Sequence, residues 1–501
     1  MRCKQDVKER MKKIVLALVF LCLSIPRCGS AEGSQSALRE MVSKVRTYTL
    51  SNGIKVVFYR RGEAPIFAGA VVVRVGGSDE ESGSTGISHM FEHMAFKGSK
   101  TIGTTDYGTE RKLLARLEEI ASESNAGNDL SDDQRREWEL IHEQLRSIWI
   151  ADDFTIRYEK KGAVGQNATT DKEFTKYFVN LPRSAFEFWS RMESDRLMTP
   201  IMRQFYQERD VVLEERRMRF EDSPGGKLYE LLLGVAYQRH PYRAPVIGYE
   251  EDIRSLTATA LKDFRKRYYI PSNIVISLVG RVDPDKDIKL VEEYFGGLPV
   301  GDPIHRAIPR EPEQQGQRRI NLSIKAFPEV IVAYRKPNYP HPDDPPLTVM
   351  AEILAGGKTS PLYKELVQRK QVAASIGQDE GPGAVYPNLL MFAGSVKAPH
   401  DPDAFLRAFD RVVERFLRKG VSKEDLEIAQ RAIGMEYLAH LGSNQSLALD
   451  FATSQLTYGT WKASVEWYDK MLAVSVDDVE RVARQYLRKS QRTIATIERS
   501  R

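Results

Sequence analysis

The sequence predicts an α+β fold of two similar-looking domains, each a mainly antiparallel sheet packed by helices. Three observations predict it. Strand-type runs and helical stretches are segregated within each half. The strand pattern that opens the chain returns after residue 320, and a proline-rich segment without apolar period lies between the two. With 501 residues, and roughly 100 to 200 residues per domain, each half is long enough to bury its own core.

Residues 1–31 read as a signal peptide. A basic stretch ends at Lys12 and Lys13, an apolar run covers 14–25, and Gly29, Ser30 and Ala31 are the small residues of a cleavage site. Met11 begins a conventional signal, so the start codon is Met1 or Met11. The run is too short for an ordinary spanning helix, so no membrane anchor is expected after cleavage. The expected destination is export, to a bacterial periplasm. Cys3, Cys22 and Cys28, the chain's three cysteines, all fall in this segment. The mature chain therefore has no disulfide and no thiolate ligand, and any metal site must use His and carboxylate.

The first domain is expected over 32–298. Strands 45–50 and 55–59 flank Ser51-Asn52-Gly53, an Asn-Gly hairpin signal. A strand over 66–75 ends at Gly76-Gly77, a last strand over 273–279 ends at Gly280, and 284–296 reads as a helix. Residues 107–151 have helical periodicity on both sides of 125–129, with Ser131 and Gln134 forming a capping box. This is an inserted helical hairpin, its Glu/Arg density that of a solvated face or of a contact arm. Residues 299–319, with four prolines, form the linker. The second domain, 320–501, reads as strands 320–326, 330–334, 389–396 and 493–497 with helices 346–355, 402–418, 422–440 and 476–488.

The formal charge of +5 is local. Residues 1–31 hold seven Lys/Arg against Asp6 and Glu9, so the 74 basic and 69 acidic residues become 67 of each without them. A balanced, interspersed chain has no electrostatic footprint for nucleic acid.

The chemistry concentrates at His89-Met-Phe-Glu92-His93. On a helix, His89 and His93 stand one turn apart on one face, the separation at which two imidazoles hold one tetrahedral zinc ion. Glu92 lies beside them, placed as a general base for a water on the metal. A third ligand should come from a second helix, and Tyr206-Gln-Glu208-Arg-Asp-Val-Val-Leu-Glu214-Glu215 carries Glu208 and Glu215 two turns apart on one face. One can bind metal while the other orients a histidine; equally, the segment can be an amphipathic helix packing Val211, Val212 and Leu213.

These motifs resemble the insulinase/pitrilysin family of inverzincin metallopeptidases, in particular its mitochondrial-processing-peptidase-like branch. Gln166-Asn167-Ala168-Thr169, His240-Pro-Tyr, Tyr268-Tyr-Ile-Pro-Ser-Asn273 and Ala355-Gly-Gly-Lys-Thr-Ser-Pro-Leu-Tyr363 extend the resemblance over almost the whole mature chain. It implies one zinc ion per chain on His89, His93 and Glu215, Glu92 as catalytic base, Glu208 behind the ligands, and Asn167 and Ala168 on an edge strand that binds the substrate. It also implies that the second half is an inactive companion domain.

The chain departs from the family pattern in three ways. His93 and Glu215 are separated by 121 residues, an excess that the 107–151 hairpin accounts for. The Arg and Tyr that hold the substrate carbonyl in many members align with Val367 and Ala374, and Arg369 has no Tyr at the matching distance. The second half has no metal motif; His341, His400 and His440 stand alone. The expected function is therefore a zinc endopeptidase acting on short or unfolded polypeptides inside a clamshell, as a homodimer or a heterodimer with a zinc-free paralogue that supplies the Arg and Tyr. The rival is a non-catalytic scaffold or peptide-binding subunit of the same fold.

Overall fold

The computed structural model describes residues 31–499, so the signal segment lies outside them except for Ala31. Among the described residues, helix Ala31–Lys44 and Val45 belong to a unit of their own, where the sequence offers only a Ser-rich lead. The remainder of the chain forms the second unit. Among the described residues no helix is long and apolar enough to cross a membrane.

The first sheet contains β1 (Val45–Thr49), β2 (Lys55–Arg60), β3 (Ile66–Val73), β4 (Val164–Thr170), β5 (Thr175–Pro182) and β6 (Ile274–Gly280) in the order β1-β2-β6-β3-β5-β4. β6 enters between β2 and β3, parallel to the former and antiparallel to the latter. All seven of its residues are buried, which is why Ile-Val-Ile-Ser-Leu-Val-Gly shows no polar alternation. The expected turn forms at Gly53, whose φ of +101° suits glycine, and its N–H bonds to Leu50 O at 2.9 Å.

The second sheet contains β7 (Arg318–Ile324), β8 (Glu329–Lys336), β9 (Gly377–Gly381), β10 (Asn388–Ser395) and β11 (Arg492–Arg499) in the order β7-β11-β8-β10-β9. This repeats β2-β6-β3-β5-β4, including the single parallel pair, β7 with β11. The α+β class with two sheets and many helices stands.

Each half also lays a helix on the other's sheet. Leu228, Leu232 and Leu233 of helix Pro224–Ala236 share a core with Ala333, Met391 and Ile497. Helix Asn444–Tyr458 packs on β3 and β6, its Phe451 ring 6.1 Å from that of Tyr59. After helix Pro284–Phe295, residues 296–317 contain no helix or strand, yet they are strapped down. Arg306 bonds to Asp79 at 2.6 Å, and Glu311 accepts the N–H groups of Gln238, Arg239 and His240.

Helices Tyr107–Glu123 and Asp132–Ile148 form a hairpin, with the Ser131–Gln134 capping box made in both directions. Leu117, Ile120, Ile141 and Leu145 are its own small core. Its ends meet, Thr105 N bonding to Ile148 O at 2.9 Å, so the 45-odd residues of 107–151 leave the chain path nearly where they rejoin it.

Three elements lack a sequence signal. β9, Gly-Gln-Asp-Glu-Gly, has no β-branched or aromatic residue and exists because β10 offers it a pairing edge. Helix Asn444–Tyr458 has no exposed residue, which blurs its apolar stripe, and helix Ala463–Leu472 is only 10 residues long, too short for its stripe to stand out.

Candidate metal centre

Helix Ile87–Met94 carries the histidine motif directly behind the sheet. Its start is set by Glu80, whose buried carboxylate accepts the N–H groups of Gly86 (2.8 Å) and Ser88 (2.9 Å). Gly86 has φ +89°, and a Cβ there would stand 2.3 Å from Ile247 O, so this entry into the helix requires glycine.

The sequence-predicted residues converge. Glu215, at the end of helix Phe205–Arg216, places Oε2 at 3.4 Å from His93 Nε2 and 3.8 Å from His89 Nε2. One donor atom from each of the three lies within 4.8 Å of the others. Tetrahedral zinc with ligands at about 2.0–2.1 Å separates its donors by roughly 3.4 Å, so this donor set fits a single zinc ion. Glu208, two turns earlier, lies 2.9 Å from His93 Nδ1 and 2.5 Å from Lys97 Nζ. A proton on Nδ1 shared with Glu208 leaves Nε2 free to face Glu215. Glu214 points away and pairs with Arg217.

Electrostatics divide the two histidines. Burial pushes His89 down to about 4, so it is neutral and able to donate its lone pair. Burial also opposes the charged form of His93, but the Glu208 and Glu215 carboxylates outweigh it and hold the ring up to about 9. Glu208 is desolvated, yet the His93 and Lys97 hydrogen bonds draw it down to about 2. Glu215 is lowered chiefly by its bond to His93. Glu92 moves the opposite way: burial raises it, with the Thr170 hydroxyl, 2.5 Å from Oε2, pulling back.

β4 is the outer strand of its sheet and runs past this cluster. Asn167 is exposed and lines a cavity of about 280 Å³ together with Glu92, His93 and Glu208. Ala168 is buried and lines a neighbouring cavity of about 320 Å³ with His89 and Glu92. The pairing of β4 with β5 shifts register between Val164 and Asn167, a bulge just before these residues.

Sequence reasoning missed four residues here. Thr170 and Lys97 are described above. Arg219, in the π-helical turn Arg217–Glu221, bonds Glu215 Oε1 at 2.7 Å, and Tyr229 joins it in lining the second cavity. The i,i+4 spacing of Glu215 and Arg219 was a readable signal. Nothing local marks Tyr229, which comes from the helix that crosses to the other sheet.

Two histidines and a glutamate converging from two helices, with a buried carboxylate beside them under an edge strand, make a donor set of the kind that can hold one zinc ion. The family model for the insulinase peptidases, peptidase family M16, matches residues 55–130, and that for the M16 inactive domain matches 255–433. The zinc protease PqqE of Helicobacter pylori is 26% identical over 92% of this chain and 94% of its own length. A probable mitochondrial-processing peptidase subunit beta of Arabidopsis thaliana is 24% identical over 89% of this chain and 76% of its own. A crystal structure of a protease from Helicobacter pylori superposes with a TM-score of 0.76 at 24% identity, covering 91% of this chain and 99% of that one. The first half of the periplasmic protease PqqL from Escherichia coli gives 0.67 at 16% identity, over 91% and 92%. The chain belongs to the insulinase (M16) peptidase family.

Proposed function

We propose that the chain is a zinc-dependent endopeptidase for short or unfolded polypeptides, with one zinc ion on His89, His93 and Glu215. The observation that carries this is the convergence of those three donors beside Glu92. Zinc held there supplies a Lewis acid that polarises the peptide carbonyl and acidifies the attacking water. Glu92 removes the water's proton and returns it to the leaving amine; its burial raises its proton affinity toward what that transfer needs. Thr170 holds Glu92 Oε2, leaving Oε1 for the transfer. Glu208 keeps His93 oriented. The substrate adds as a further strand along β4, at Asn167 and Ala168, which favours extended chains over folded ones.

A second subunit completes the site in this reading. Val367 lies in the segment Tyr363–Arg369 and Ala374 just beyond it; neither side chain can donate a hydrogen bond, and Arg369 is engaged by Glu365 at 2.8 Å. The supplied Arg and Tyr would stabilise the developing oxyanion. A relative being a mitochondrial-processing peptidase subunit favours such pairing. Closure of two chains into a chamber, the domain limits 32–298 and 320–501 joined by 299–319, the hairpin's status as an insertion, and export to a periplasm belong to the same proposal. The scaffold reading is disfavoured by the intact donor set.

The test is cleavage of a quenched, unstructured peptide library by the purified chain, with zinc measured on the same sample and Glu92→Gln as control. Zinc-dependent cleavage lost in Glu92→Gln supports the proposal. A zinc-loaded chain that is silent alone and active with its zinc-free paralogue supports the two-subunit form. A chain that binds no zinc and cleaves nothing in either setting overturns it.

A further inference from the structure

Two cavities succeed one another along the edge strand β4. Asn167 lines the first, and Ala168, Thr169 and Thr170 line the second, while Glu92 lines both. A peptide laid on β4 passes from one cavity to the other over Glu92, so the residues on the two sides of the cleaved bond meet different walls.

The second cavity, of about 320 Å³, is walled by Phe220, Tyr229, Leu233, Val246, Ile247 and Pro382. Besides Glu92, three charged side chains reach it, and each is engaged elsewhere. Lys172 is buried and gives its ammonium to Ala244 O, Glu230 accepts from Arg216 at 2.9 Å, and Arg219 holds Glu215 at 2.7 Å. A charged side chain entering here loses water and finds each opposite charge already paired, whereas an apolar one leaves water for apolar contacts.

Both halves of the chain build this wall and hold it in place. Leu233 belongs to the core shared with the second sheet and Ile247 to the core of the first. The Arg216 guanidinium lies 5.6 Å from the centre of the Phe220 ring. Pro382 comes from the loop between β9 and β10, and Glu173, in the turn between β4 and β5, fastens that loop by accepting Ala384 N–H at 3.0 Å. Gly381 leaves Tyr229 its room, since a Cβ there would stand 3.0 Å from Oη. A wall fixed in this way orders little when a side chain enters it.

We propose, on the footing of the peptidase reading, that this cavity is the subsite for a large apolar side chain, of the size of Phe or Leu, on one side of the cleaved bond. Tyr229 and Val246 are its specificity-determining residues. The substrate class is then an extended polypeptide with such a residue next to the cut.

The experiment uses unstructured peptides in which Ala, Phe, Lys or Glu occupies each position in turn. Dissociation constants are measured on the zinc-loaded Glu92→Gln chain, which holds peptide without cutting it. Cleavage sites and kcat/KM are measured on the native chain, alone and with its zinc-free paralogue. At one position, Phe binds about tenfold or more tighter than Ala, Lys or Glu. Tyr229→Glu, made in each background, shifts the preference there toward Lys, and Val246→Lys shifts it toward Glu, each by about tenfold in the ratio. Loss of folding does not produce opposite shifts from two substitutions. Equal constants for all four residues at every position, or no binding at all, overturns the proposal. So does a native preference for Lys or Glu at the responsive position, or a preference for Phe that survives both variants. Should the native chain cleave none of the peptides in either setting, the peptidase reading fails, and the constants on Glu92→Gln still decide the subsite.

Discussion

His93 Nδ1 and Glu208 Oε1 stand 2.9 Å apart although 114 residues lie between them, and that contact leaves Nε2 as the nitrogen of His93 that faces Glu215. Glu208 is held in turn by Lys97, one helical turn beyond His93. The pair ties helix Ile87–Met94 to helix Phe205–Arg216.

Replacing Glu208 by Gln keeps the shape and removes the charge. Zinc affinity falls about 10- to 100-fold, the usual effect of losing a partner behind a ligand histidine. Competition with a chromophoric chelator reads this directly; unchanged affinity would show that Glu208 is only a surface ion-pair partner of Lys97.

The metal-free chain has a defined acid response. His89, lowered to about 4, contributes stability that is present above its unfolded value of about 6.5 and is lost as pH falls through 4. Glu208, lowered to about 2, adds a loss that begins below about 4.5 and runs down through 2. Melting temperature therefore drops from about pH 6.5 downward, and His89→Gln flattens the upper part of the drop.

Zinc uptake has the opposite signature at higher pH. His93, raised to about 9, holds a proton at neutrality that the ion must displace. Zinc affinity rises with pH up to about 9, with roughly one proton released per ion near pH 7.5, measurable by calorimetry in buffers of different ionisation enthalpy.

The Arg203–Glu110 pair is fully buried and joins the hairpin to the segment before the Glu208 helix, with Nε 2.5 Å from Oε1. Arg203→Met strands the carboxylate, at a cost of about 3–5 kcal/mol. Chemical denaturation measures it, and a loss below about 1 kcal/mol would mean that the bond Trp149 Nε1 already donates to Glu110 Oε1, at 2.7 Å, is enough to hold the carboxylate.

Because helix Pro224–Ala236 lies on the second sheet and helix Asn444–Tyr458 on the first, the halves should unfold together. Leu232→Ala costs about 2–5 kcal/mol and lowers one calorimetric transition rather than splitting it. Two transitions that shift independently would contradict the interlock.

Much of this was legible in advance. His89, Glu92 and His93 lie within one helical turn, so their geometry is local and the sequence alone carries it. The alternating and continuous apolar runs placed most strands within a few residues, and the Ser131–Gln134 capping box was read as such because a cap is a three-residue contact. Glu215 was readable as a candidate, but spacing alone could not choose between it and Glu208 as the metal-facing carboxylate.

Tertiary structure decided what depends on long-range pairing. Thr170 reaches Glu92 only because β4 pairs at the sheet edge, and β9 is a strand only because β10 is there. The exchange of helices between the halves, the presence of Tyr229 beside Arg219, and the cavity that Pro382 helps to wall all arise where segments distant in the chain meet. Periodicity reports which face of an element is apolar, not which partner will cover it, and that choice is made by packing the whole chain at once.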